Sequence, residues 1–282
     1  MITLAVVSDL HCGSTVGLCP SEVDLDDGGS YKASDAQEWL LLKWEAYWKW
    51  VSERVAGDLY LLINGDVFDG DHHGTAQIVS RVKPIQSEIA WQCLQTPLAL
   101  DPAKIFFTRG TSTHTGKNSG SEESFAAGLR GQGYPVQRCP ETGNNTAWKW
   151  RLMLEGVLVE AAHHGRMGQR PWTQSNAANL LAAQIFYEHC AGVRSKGEQV
   201  NEVDRWPDLA LRSHFHREID SNDAHPVRVI QTPAWQLATE YIHKKHTDSL
   251  ADVGGLLIHL EDGDSQVYKK IDKPYRSPLW KA

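Results

Sequence analysis

The sequence predicts an α/β protein whose chemistry gathers at the carboxyl ends of its strands. Strands and helices alternate through the first half, and strands dominate the second. Short apolar runs end repeatedly in Asp and His. The clearest is Leu61-Leu62-Ile63-Asn64-Gly65-Asp66-Val67-Phe68-Asp69-Gly70-Asp71-His72-His73, an apolar run that breaks into three carboxylates and two imidazoles. A buried parallel strand ends this way when its tip faces a reaction site.

In chain order, Ile2 to Val7 reads as a first core strand ending at Ser8-Asp9-Leu10-His11. The Gly/Ser/Asp-rich stretch from Cys12 to Ser34 is too long for an ordinary connection and reads as functional or mobile. Asp35, with Glu38 three positions on, caps a predicted helix to about Val55. Its Leu40, Trp44, Tyr47, Trp48 and Val51 recur at helical spacing and should pack on a sheet. After the strand Leu59–Ile63, Gln77 to Gln95 reads as a helix kinked at Pro84. Lys104 to Thr108 is a strand leading into Arg109-Gly110-Thr111-Ser112-Thr113-His114. Ser121 opens a helix to about Leu129, with Glu122 and Glu123 complementing its dipole.

The second half changes texture. Ala147–Leu154 and Val157–Ala162 pair around Glu155-Gly156, the latter strand ending in His163-His164-Gly165. Asn176 to Cys190 is helical and Gly192 to Val203 a polar loop. Leu209–Arg212 is a strand ending in Ser213-His214-Phe215-His216. Val227–Gln231, Gly255–Leu260 and Gln266–Lys270 complete the strands. With no repeat and no Pro/Ser-rich linker, residues 1–282 are expected to form one domain.

Composition bounds the function. Hydrophobic content of 41% and charged content of 22% describe an ordinary globular chain. A net charge of −7 gives no overall basic field for nucleic acid or an anionic membrane, although it does not exclude a local basic face. The first residues lack the basic start and long apolar core of a signal peptide, and no run is long enough to span a bilayer. Five scattered cysteines without a C-x-x-C pair suggest a reducing cytoplasm. The eleven tryptophans are expected to be mainly structural.

Thirteen histidines are many, and their placement is informative. Asp9/His11, Asp66 with Asp69, His163/His164 and His214/His216 each follow an apolar run, and His114 follows the Lys104–Thr108 strand. Singly, each has a bland reading as a cap or a surface imidazole. Jointly, their shared position points to metal. Mixed carboxylate and imidazole donors suit Zn, Mn, Fe or Ni rather than Ca.

These motifs, in this order, resemble the calcineurin-like metallophosphoesterase superfamily, with its D-x-H, G-D-x-x-D, G-N-H-D/E, lone H and G-H-x-H. Here they read Asp9-Leu10-His11, Gly65-Asp66-Val67-Phe68-Asp69, Gly110-Thr111-Ser112-Thr113-His114, His163-His164-Gly165 and Ser213-His214-Phe215-His216. The resemblance implies a four-layer αββα sandwich with a binuclear metal site at the strand carboxyl ends. It implies that Asp9, His11 and His216 hold one ion and that Asp66 bridges both. His214 and one of His163 or His164 would hold the second; His164, preceding Gly165, is favoured. Asp69 reads as a turn residue or a support for a ligand.

Two departures stand out. Ser213 replaces the family Gly, and Thr111 stands where the family has Asn, with His114 three residues later. His114 is then either a replacement metal ligand or a phosphate-binding acid. His72 and His73, with Asp71, are assigned to the substrate rim, His73 also as a candidate catalytic acid. Arg109 and Arg166 are candidate phosphate contacts.

The resemblance implies two divalent ions (Mn, Zn or Fe) and hydrolysis of phosphoesters, diesters favoured, by a metal-bridging hydroxide. The expected partner is a phosphoester substrate, including a nucleotide or nucleic acid, and no membrane. A nuclease variant would use Arg205, Trp206, Arg212, Arg217, Lys244 and Lys245 as a strand-binding face. A phosphomonoesterase and a non-catalytic scaffold on the same fold are the other readings.

Overall fold

A computed structural model describes residues 1–72, 74–116, 119–166, 168, 173, 176–196, 205–245 and 250–274, without the side chains of 192–196 and 245. His73 lies outside the described residues. Two five-stranded sheets form the frame. The first runs β12 (Asp264–Asp272), β11 (Val253–Glu261), β1 (Ile2–Val7), β4 (Asp58–Ile63), β5 (Lys104–Phe107). In it β1, β4 and β5 are parallel and β11 is antiparallel to β1. The second runs β6 (Lys149–Leu154), β7 (Val157–His164), β8 (Leu209–Ser213), β10 (Arg228–Gln231), β9 (Ile219–Asp220), with β7, β8 and β10 parallel. A small hairpin of β2 (Glu22–Asp24) and β3 (Ser30–Lys32) lies within the long segment after β1.

Side-chain alternation along the strands builds the layers. From β1, Ala5 and Val7 turn to one face of the first sheet, where α1 (Asp35–Ser52), α2 (Lys83–Leu98) and α4 (Gly120–Gly131) cover them with Leu40, Trp44, Ile89, Leu94 and Ala126. Leu4 and Val6 turn to the other face and meet Val159, Ala161, Leu209, Leu211 and Ile230 of the second sheet. The outer face of that sheet, through Ala210 and Val229, packs on Ala178, Ala182 and Ile185 of α5 (Asn176–Lys196). The order is helix, sheet, sheet, helix, a four-layer αββα sandwich. Strands buried on both faces must be apolar almost throughout, which is why β1 and β4 read as continuous hydrophobic runs.

Local expectations shift in places. Ser34, not Asp35, caps α1. Its hydroxyl accepts from Gln37 N while Gln37 Oε1 accepts from Ser34 N at 3.0 Å, a reciprocal capping box. Pro84 does not kink α2; it lies in the first turn, where its missing N–H needs no intrahelical partner. The last described helix is α6 (Glu240–Lys245). Among the described residues, no helix is long and apolar enough to cross a membrane.

Of the residues expected on a strand-binding face, the Lys245 side chain lies outside the described residues, and the others have partners. Arg212 is buried against Glu160, and Arg205 pairs with Asp208. Arg217 donates to the Leu250 carbonyl, Trp206 packs on Phe186, and Lys244 pairs with Glu240. These cations already answer to neighbouring acceptors.

At the carboxyl ends of the strands, the apolar layer between the sheets gives way to a hydrogen-bonded seam. Ser8 Oγ and Thr232 Oγ1 share a hydrogen bond of 2.7 Å, and Thr232 Oγ1 and Ser213 Oγ one of 2.8 Å. Asn64 Nδ2 donates to Ser213 Oγ at 2.6 Å and to the Ala162 carbonyl at 3.2 Å. The seam locks the strand ends of one sheet to those of the other. It also explains why a hydroxyl stands at Ser213, where glycine could make none of these bonds.

Candidate metal centre

Strand pairing continues past the strands into the ligand loops. Asp9 N donates to the Gly65 carbonyl at 3.0 Å, His11 N to Asp66 at 3.1 Å and Cys12 N to Val67 at 2.9 Å. The segments after β1 and β4 therefore travel side by side and present Asp9, His11, Asp66 and Asp69 together. Behind them, Trp235 N donates to the Asp9 carbonyl at 3.0 Å, and the Trp235 ring is clamped by Trp44 and Tyr47 of α1. The buried tryptophans thus support the site from below.

The backbone at the site is strained. Among the described residues, ten non-glycine residues have positive φ, and five of them are Asp9 (53°), His11 (45°), Asp66 (52°), His214 (80°) and His216 (53°). Left-handed backbone at non-glycine residues costs free energy and persists where surrounding structure enforces it, most often at functional sites. Two glycines make room. An added Cβ at Gly110 would collide with Asp66 Oδ1, and one at Gly65, itself at φ 86°, would lie 2.5 Å from His163 Nδ1.

Three groups of side chains converge, each with donor atoms within 4.8 Å of one another: Asp9 with His11 and His216, Asp66 with His163 and His214, and His11 with Asp69 and His114. His163 joins the first two groups, its Nε2 2.9 Å from Asp66 Oδ2 and 3.8 Å from Asp9 Oδ1. Its Nδ1 lies 2.7 Å from the Asn64 carbonyl. A carbonyl can only accept, so Nδ1 carries the proton and Nε2 is aimed at the acidic pair.

The preference for His164 over His163 is therefore corrected. His163 is buried with its Nε2 2.9 Å from Asp66 Oδ2, whereas His164 is exposed, its ring 5.1 Å from that of His163 and 5.0 Å from that of His214.

The altered third motif resolves in space. Thr111 N donates to Asp66 Oδ1 at 2.6 Å and Thr111 Oγ1 to Asp66 Oδ2 at 3.0 Å, with His214 Nδ1 3.1 Å from the same hydroxyl. Thr111 thus occupies the corner between Asp66 and His214. His114, carried by the single turn α3 (Ser112–Thr115), swings to the other side, its Nδ1 2.8 Å from the Asp69 carbonyl and its ring 4.5 Å from that of His11. His114 does not join Asp66, His163 and His214; it joins His11 and Asp69.

Asp69 is the hub on that side. Its Oδ1 lies 3.2 Å from His11 Nδ1 and accepts from Gln236 Nε2 at 3.2 Å, and its Oδ2 is 3.5 Å from His72 Nε2. His72 and His114 stack edge to face at 4.6 Å, which places His72 at the rim. Asp71 pairs with Arg81 on the surface. Arg166 is exposed; Arg109 is half-buried and donates its Nε to Thr146 Oγ1 at 3.0 Å.

The donor set fits divalent metal on two grounds. Asp9 Oδ1 and His11 Nε2 are buried without any hydrogen-bond partner, a costly state that a cation between them would relieve. The charge balance points the same way. Burial opposes charge on Asp9 and Asp66, yet the His163 imidazole holds both carboxyls below the usual range. Burial opposes charge on His163 too, but Asp66 and Asp9 raise it to about 10. The two carboxylates thus recruit a proton where a metal would supply charge. Burial, reinforced by His11 at His114 and by His163 at His214, lowers both of these to about 4, leaving neutral imidazoles ready to coordinate.

Sequence reasoning missed one group. Glu122, expected as a dipole-complementing acid, is wholly buried, its Oε2 accepting from Gly110 N at 2.7 Å and its Oε1 from Val67 N at 3.2 Å. It ties together the loops that carry Asp66 and Thr111. Burial, with the Asp66 charge beside it, pushes its carboxyl up to about 7. Glu122→Ala leaves two buried N–H groups without acceptors, each costing about 1–3 kcal/mol. Urea unfolding of the metal-free variant should show a loss of about 3 kcal/mol; an unchanged midpoint would show that the brace carries no load.

No family model matches the chain, and no curated protein matches it. Among solved structures, a dimetal phosphatase from Danio rerio aligns at 11% identity and TM-score 0.42, covering 95% of each chain. Vps29 from Cryptosporidium parvum aligns at 9% identity and TM-score 0.41, covering 96% of this chain and 98% of that one. Wild-type Vps29 from Entamoeba histolytica, complexed with Zn2+, aligns at 9% and 0.40 with the same coverage. Likeness at this level says nothing about what the present chain binds or acts on.

Proposed function

We propose that this chain is a metal-dependent phosphoesterase, with phosphodiesters its favoured substrates. One observation carries the reading. Two donor groups, Asp9/His11/His216 and Asp66/His163/His214, lie side by side, spanned by the Asp9–His163–Asp66 contacts, with buried donor atoms that no protein group satisfies. Such an arrangement suits two ions rather than one closed tetrahedral site, which would need only four donors. The motif resemblance favours the same chemistry.

Two divalent ions, when bound, activate water at neutral pH and neutralise charge on a phosphoryl group. The chain's own residues do the rest. Asp66 contacts His163, whose Nε2 also faces Asp9 Oδ1 at 3.8 Å, Asn64 orients the His163 ring, and Asp69 orients the His11 ring through Nδ1. His72, 3.5 Å from Asp69 Oδ2 at the rim, is placed to hand a proton to the departing alkoxide, and the neutral His114 packs between it and His11. A scaffold role is disfavoured because the imidazoles and carboxylates of both groups are retained and converge.

The test is metal analysis together with hydrolysis assays under supplied Mn or Zn, against bis(p-nitrophenyl) phosphate, the monoester, cyclic nucleotides and single- and double-stranded DNA. The expected result is up to two bound ions per chain and turnover of diesters ahead of the monoester. No metal bound and no ester cleaved would sink the reading.

A further inference from the structure

Among the large apolar residues exposed to solvent, Trp148 is distinguished by where it stands. It is 54% exposed, whereas Trp44, Trp48, Trp150 and Trp235 are buried. A lone exposed indole is ordinary; one built into the wall of a reaction site is not. Ala147, just before it, bridges to Thr108 and accepts from Arg109 N at 2.8 Å, so this segment runs beside the end of β5. Lys149 pairs with Ala162 as the first rung of the β6–β7 ladder, and Trp148 immediately precedes it, at the end of β6 beside the carboxyl end of β7. Through Arg109, which neighbours Gly110 and Thr111 in the chain, it is joined to the loop whose Thr111 N donates to Asp66. Two residues on, Trp150 packs between the sheets and donates to the Phe107 carbonyl at 3.0 Å.

The indole is also preorganised. The Arg109 guanidinium lies over its ring, 5.3 Å from the centroid. Arg109 is held there by the bond from its Nε to Thr146 Oγ1, and Thr146 is held by Glu123 Oε2, which accepts from its N at 3.0 Å and its Oγ1 at 2.6 Å. Glu123 at the start of α4 therefore fixes Thr146, Thr146 fixes Arg109, and Arg109 covers one region of the indole while more than half of the residue faces water. Arg109, expected as a phosphate contact, lies with its guanidinium over the Trp148 ring.

We propose that Trp148, backed by Arg109, is a stacking platform for the nucleobase of a nucleotide-bearing phosphoester. The inference rests on the phosphoesterase reading and names its substrate class. Trp148 stands beside the donor groups but is not among them, which leaves room for a sugar between a stacked base and a phosphate at the metal centre. An aryl ester carries its ring directly on the ester oxygen and would have to bridge that gap. Every base offers a π-face, so the platform selects for a base without selecting which one.

The test uses 2-aminopurine deoxyribonucleotide 5′-phosphate, excited beyond the tryptophan band, titrated with the full chain supplied with Mn. Saturable quenching is expected, retained in Trp148→Phe and weakened about tenfold in Trp148→Ala, the low end of the usual contribution of base–aromatic stacking. In parallel, the ratio of KM for an abasic diester to KM for a dinucleotide should fall about tenfold in Trp148→Ala. Equal quenching in wild type and Trp148→Ala overturns the platform. So does an equal loss of p-nitrophenyl phosphate turnover and dinucleotide turnover in that variant. Turnover of the abasic diester without any preference for the base overturns the platform and leaves the phosphoesterase reading standing. Quenching that depends on Trp148, with no ester cleaved, upholds the platform and removes the phosphoesterase reading.

Discussion

Asp66→Asn is expected to abolish the proposed diester hydrolysis, by at least about a thousandfold, and to lower metal content, while the chain stays folded. The size follows from position. Asp66 Oδ1 accepts from Thr111 N, and Oδ2 lies within bonding distance of Thr111 Oγ1 and His163 Nε2, so one carboxylate organises the second donor group and reaches toward the first. An amide offers one oxygen where two are used and carries no charge to hold the ions together. A thousandfold corresponds to about 4 kcal/mol at 1.36 kcal/mol per decade. The fold survives because the loop backbone is still held, the Asp66 carbonyl accepting from His11 N, and because the amide oxygen of the variant can still accept from Thr111 N. Circular dichroism, metal counting and initial rates check this together. Wild-type turnover in the variant would remove Asp66 from the centre of the mechanism.

The second large effect is the stabilisation given by metal, and it grows with pH. In the metal-free protein Asp66 and Asp9, against burial, raise His163 to about 10, so it stays protonated from pH 6 to 8. Coordination requires the neutral ring, so binding expels a proton and the apparent affinity tightens about tenfold per pH unit over this range. His114 and His214, lowered to about 4, are already neutral and add no slope. The metal-free form moves the other way. A group whose pKa is raised on folding contributes stability that is fully present below its unfolded value of 6.5 and is lost as pH rises through about 10. The gap in melting temperature between metal-loaded and metal-free protein therefore widens from pH 6 to 8. One proton over two pH units is a hundredfold in affinity, or about 2.7 kcal/mol when the metal is in excess. Calorimetric melts at fixed free Mn or Zn read it, and a gap independent of pH would exclude His163 as the proton carrier.

Much of the site was legible because strand tips announce themselves. An apolar run buried on both faces must stop where polar chemistry begins, so Asp9, His11, Asp66, His163, His214 and His216 stand out after β1, β4, β7 and β8. The supporting residues did not. Asn64 and Thr232 carry no signal in the sequence and Ser213 reads as a departure from a motif, yet they form the seam that joins the two sheets. Glu122 and Glu123 read as exposed acids at a helix start. One braces two ligand loops, and the other anchors Thr146 beneath Arg109. Their partners lie between 12 and 55 residues away in the chain, and no local pattern records such distances.

The sequence by itself determined the alternation of strands and helices and which strand ends carry donors, since burial and periodicity act residue by residue along the chain, and the motif resemblance implied the αββα layering. Only the tertiary structure decided which donors meet. It placed Thr111 beside Asp66 and His214, sent His114 to His11 and Asp69, and buried His163 against Asp66 while leaving His164 exposed. It also set the Arg109 guanidinium over Trp148. The reason is geometric. A strand's pleat sets which side a residue faces, whereas the meeting of side chains from two sheets depends on how the sheets are registered against each other. That registry is held by a few buried hydrogen bonds between segments far apart in the chain.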